Sequence, residues 1–82
     1  MVNVTDEELA RAIIADVGGN TPSAELIAMF TRVGEWGQVG TQALVDVAHG
    51  HGVVRPELVR EAIDRWPNDM GGLLQVFEPM AA

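Results

Sequence analysis

Apolar residues recur at three- and four-residue intervals in five stretches of this chain, each closed by glycine or proline, a pattern that predicts short amphipathic helices. Thr5-Asp6-Glu7-Glu8 has the form of a capping box. A first helix should therefore start at Asp6, turning Leu9, Ala12, Ile13 and Val17 inward and leaving Glu7, Arg11 and Asp16 outside. Gly18-Gly19 ends it. Thr21 and Pro22 restart the chain as N-cap and first helical residue, and Leu26, Ile27, Phe30 and Val33 form the second apolar stripe. Ala24, Ala28 and Thr31 make a small-residue strip beside it that lets another helix approach closely, and Gly34 or Gly37 stops this helix.

Gly34, Gly37 and Gly40 surround Trp36, and a glycine inside a helix costs about 1 kcal/mol relative to alanine, so this segment reads as a connector. Thr41 then caps a central helix in which Leu44, Val47, Ala48 and His51 share a face, flanked by Ala43 and Val45, with Gln42 and Asp46 on the opposite side. Such a helix is apolar over most of its circumference, as an element enclosed by others should be. Its β-branched residues and bordering glycines leave a short strand as the alternative. After His49-Gly50-His51-Gly52, Pro56 opens a helix lined by Leu58, Val59, Ala62, Ile63 and Trp66, with Glu57 to Arg60 and Glu61 to Arg65 paired on its other side. Pro67 closes it. Asn68 caps a weaker helix bearing Met70, Leu73, Leu74 and Phe77, with Gly71-Gly72 in its first turn, Pro79 at its end and a fraying tail at Met80-Ala81-Ala82.

The expected fold is all-α: a single domain, 1–82, forming a small compact bundle of four to five short helices over 6–17, 22–33, 41–49, 56–66 and 69–77. Glu8-Leu9-Ala10-Arg11 with Ile14 is echoed by Glu57-Leu58-Val59-Arg60 with Ile63, but a repeat array would show a third copy at a fixed period. Two helices of one amphipathic type suffice to produce the match.

Composition narrows what such a domain can do. At 82 residues without cysteine, the chain has one core, no disulfide support and no thiolate for metal or redox chemistry. Twelve acids stand against five bases, all arginine, for a net charge of −7, which repels nucleic-acid phosphates and anionic lipid. Lysine is absent while Ala, Gly, Val and Arg abound, the codon bias of a GC-rich genome such as that of an actinobacterium or its phage. The opening residues lack the basic and apolar regions of a secretory signal, and no run approaches the roughly 18 apolar residues of a membrane span, so the expected location is the cytoplasm.

The inventory of reactive groups is short. His49 and His51, with Asp46 one turn earlier, have the residue types of a metal site, but imidazoles in a last helical turn also suit the carbonyl end of the helix dipole. No metal or other cofactor is expected. Ser23, the sole serine, lies in a helix first turn where it satisfies backbone amides, and the acid pairs Glu7-Glu8 and Glu57-Glu61 sit on charged faces beside arginine, so no enzyme activity is expected. Neither Gly34-Glu35-Trp36-Gly37 nor Gly50-His51-Gly52 matches a phosphate-binding glycine motif. Residues 50–66 fit a loose helix-turn-helix, giving a DNA-associated regulator as the alternative function, although Glu57, Glu61 and Asp64 outnumber Arg60 and Arg65 there.

What remains is apolar contact. Trp36, in its glycine setting, and the terminal stripe Met70, Leu73, Leu74 and Phe77 are the candidate protein-interaction residues. The expected function is a small acidic interaction or accessory protein, non-catalytic, whose partner is another protein or a second copy of itself.

Overall fold

The computed structural model describes residues 4–81, and among them the chain forms helices and no strands. Helix α1 spans Asp6–Val17, α2 Ala24–Arg32, α3 Trp36–Ala48, α4 Pro56–Arg65, α5 Pro67–Met70 and α6 Leu73–Ala81. Its radius of gyration, 11.3 Å, is close to the roughly 11.7 Å that a compact chain of this length should have. The reading of Met1 to Asn3 lies outside the described residues, as does Ala82.

Local chemistry sets the first helix as expected. The amide of Thr5 donates to Glu8 Oε1 at 2.8 Å and the amide of Glu8 donates to Thr5 Oγ1 at 3.1 Å, closing the capping box. The Thr5 amide, then its hydroxyl, hold the Glu8 carboxyl below its usual pKa, which keeps that cap charged. Leu9, Ala10 and Ile13 turn into the core. Helices α2 and α3 both end in a Schellman motif, in which a left-handed glycine lets two amides reach back to the last carbonyls. At α2, Gly34 (φ 73°) and Glu35 donate to Thr31 and Phe30; at α3, Gly50 (φ 86°) and His51 donate to Val47 and Asp46.

Helix α3 occupies the middle, touching α1 and α2 on one side and α5 and α6 on the other, while α4 packs against α1, α5 and α6. Its start corrects the sequence expectation: Gly37 and Gly40 lie inside the helix, not in a connector, and α3 begins at Trp36 instead of Thr41. The cause is Trp66. A methyl group on Gly40 would overlap the Trp66 ring, and one on Gly37 would overlap the Asp69 carboxylate. Covering an indole removes about 150–250 Å² from water, at ~25 cal/mol per Å² roughly 4–6 kcal/mol, against about 2 kcal/mol for two helical glycines. Packing wins, and Trp66 is only 5% exposed. Thr41, expected as the cap, is instead buried in the second turn, its hydroxyl without a hydrogen-bond partner among the described residues.

Two further expectations change. Helix α2 starts at Ala24 with Ser23 as N-cap, because Thr21 to Ser23 form a turn closed by the Ala24 amide on the Thr21 carbonyl at 3.1 Å. The helix expected over 69–77 is two helices: Gly71 (φ 49°) and Gly72 part α5 from α6. Pro79 lies in the last turn of α6 and does not end it, at the loss of one amide hydrogen bond.

Candidate interaction surface

The nominated terminal stripe goes inward. Met70 and Phe77 are fully buried core residues, and Leu73 and Leu74 are half-buried against that core, which a chain with so little apolar area to spare can hardly forgo. Trp36 stands in the first turn of α3, half-buried, with the Arg11 guanidinium 5.0 Å from its ring centroid. Arg11 also pairs with Glu7 at 2.9 Å, so the exposed side of this indole is already covered by a cation from α1. The five nominated residues therefore do not form one surface.

Asp46 was expected on the outer side of α3 and is instead 2% exposed, facing the start of α2. The Ser23 hydroxyl donates to its Oδ1 at 2.8 Å and the Ser23 amide to its Oδ2 at 3.2 Å. Ser23 thus serves its own helix through a partner on another one, not by capping it with its side chain. Burial pushes the Asp46 carboxyl up, but the hydroxyls of Thr21 and Ser23, the Ser23 amide and the nearby charge of His51 outweigh it, and the net pKa is lowered. With the Ser23 proton held directly by a carboxylate, this arrangement fastens α2 to α3. Its sequence signal was a lone acid in an apolar run, which a helical wheel alone assigns to the outside.

His49 and His51 are both exposed, in the turn after α3. Among the described residues, no group of three or more His, Cys, Asp or Glu side chains is arranged to hold a metal ion. In the 50–66 region Arg55 and Arg65 are engaged by acids: Arg55 Nε donates to Asp16 at 2.9 Å, and Arg65, half-buried, contacts Glu61 at 3.0 Å, Asp6 at 3.3 Å and the Val4 carbonyl. The Arg55 side chain, then its amide, hold the Asp16 carboxyl low.

A surface missed by the sequence reading lies on α2. This helix packs on α3 through half-buried Ile27 and Phe30 and buries no residue fully. The expected stripe splits: Leu26 is 38% exposed, Val33 68%, and Met29, unassigned before, 44%. Pro22, Glu25, Leu26, Ala28, Met29 and Arg32 line a shallow groove along this outer face. Glu25 and Arg32 are exposed, and among the described residues neither has an ion-pair partner.

No family model, curated protein or solved structure matches the chain. Among the described residues no helix is long and apolar enough to cross a membrane.

Proposed function

We propose that this chain is a small, acidic, non-catalytic interaction protein that works by offering the outer face of α2 to another polypeptide in the cytoplasm. The observation that carries this reading is the exposure of Leu26 and Met29 on α2 and of Val33 at its C-cap, on a helix with no fully buried residue. An apolar stripe flanked by charge is the form in which helices enter a partner's groove or pack on a partner helix. The fastening of α2 by Asp46 supports it, because a helix held at its first turn presents its outer side chains already ordered, which lowers the entropy lost on binding. Nucleic acid is disfavoured as the partner by the net charge of −7 and by the engagement of Arg55 and Arg65 with neighbouring acids.

The test is affinity capture from the source organism with two baits, the wild-type chain and Met29→Asp, with Val53→Asp as a control at another exposed apolar position. A protein retained by the wild type and by Val53→Asp but lost with Met29→Asp supports the reading. Identical capture by all three overturns it.

A further inference from the structure

Along the outer face of α2 and just beyond its two ends, Pro22, Leu26, Met29 and Val33 follow one another at intervals of four, three and four residues, the spacing of a coiled-coil seam, with Leu26 and Met29 in the helix itself. Glu25 and Arg32 flank this seam. They are seven residues apart and so lie on one edge, separated by about 10 Å along the axis. The other edge, with Ser23 and Phe30, is turned toward α3. The seam therefore has one free flank, and that flank carries an acid at its start and a base at its end.

From this geometry we infer that the occupant of the α2 face is a second copy of the same chain, packed antiparallel about a two-fold axis near Ala28 and Met29. The inference rests on the proposed role of that face and names its partner. In an antiparallel pair the free flanks of the two helices meet, so Glu25 of each copy faces Arg32 of the other, and both charges, which have no ion-pair partner among the described residues, gain one. A parallel pair would instead bring each free flank against the flank already covered by α3. The helix dipoles also run in opposite directions in this pairing, which favours it.

A nine-residue helix sets the scale. A seam this short, even with Pro22 and Val33 beyond its ends, falls below the roughly 1,200 Å² of a standard stable interface, so the dimer is a weak one, governed by concentration. It forms at about 0.1–1 mM and dissociates on dilution.

Sedimentation of the full chain across about 10 μM to 1 mM tests this, with Glu25→Arg, Arg32→Glu and the double charge swap compared with the wild type. Both substituted positions fall on a helix without buried residues, and matching thermal melts at low concentration establish that each of the three variants is folded. The wild type should approach twice its 8.8 kDa mass at the upper end. Each single reversal puts like charges together twice per dimer and should weaken association by about tenfold or more, and the double swap should restore it. A wild type monomeric throughout, single reversals without effect, or a double swap as weak as the singles would each overturn the antiparallel dimer. If one of these is seen while Met29→Asp still loses a captured protein, the α2 face binds something other than its own copy, and only the identity of the occupant falls.

Discussion

Six residues of α3 are buried, a threonine and an aspartate among them, whereas the neighbouring α2 buries none, although both helices carry apolar residues at helical spacing. The difference lies in position. Helix α3 has neighbours on both sides, so nearly every direction around it is occupied, and even glycine is used where the Trp66 ring needs room. Helix α2 stands at the edge and rests mainly on α3, so Ile27 and Phe30 exhaust its inward face, leaving Leu26, Met29 and Val33 in water. An amphipathic pattern states that a helix has an apolar side. The number of neighbours decides how much of that side is covered.

The contrast can be broken by substitution. Leu44→Ala, at a side chain with no exposure in the middle of α3, should cost the most, about 2–5 kcal/mol in urea unfolding, because the site cannot collapse around the missing atoms. Gly40→Ala should follow at about 1–3 kcal/mol, despite alanine's better helix propensity, since the new methyl group meets the Trp66 ring. A melt equal to or above that of the wild type would show that Trp66 can yield and that the glycine serves no packing purpose.

Asp46 joins the two helices and sharpens the comparison. Asp46→Ala leaves the Ser23 amide and hydroxyl without their acceptor and should cost about 1–3 kcal/mol, with the backbone amides of α2 exchanging faster than those of α3. Its pH dependence has a definite sign. Because the folded carboxyl titrates below its ordinary value of 3.8, its contribution is complete above that pH and is lost as pH falls through the lower folded value. The wild type should therefore lose stability below about pH 4 more steeply than Asp46→Asn, measured as the urea midpoint against pH. The smallest effect belongs to α2's outer face: Met29→Gln should shift stability by no more than about 0.5 kcal/mol in dilute solution. A loss comparable to that of Leu44→Ala would mean that this face is not free.

How much of this was legible beforehand varied with the range of the interactions involved. The start of α1 was readable because Thr5 and Glu8 cap each other within one turn, and the start of α4 because Pro56 suits a first helical position. The end of α3 was readable from Gly50, whose left-handed backbone closes the helix locally. Its beginning was not, since Gly37 and Gly40 oppose a helix on local grounds and the groups that leave no room for a side chain there, the Asp69 carboxylate at Gly37 and the Trp66 ring at Gly40, come from α5 and from the far end of α4. The burial of the terminal stripe was not legible for a related reason. Met70, Leu73, Leu74 and Phe77 form an apolar stripe as regular as that of α2, and nothing in the spacing says that one finds cover and the other does not.

The order of amino acids thus settled by itself that this chain is helical, where several helices start and stop, and that it carries excess negative charge, because those properties depend on residues within a turn or two of one another or on simple counting. Only the tertiary structure decided that two glycines belong inside a helix, that Asp46 points inward to hold Ser23, and that α2 keeps its apolar face in water. Local preferences are worth about 1 kcal/mol per residue, while covering one large side chain is worth several, so the assembled packing decides wherever the two disagree.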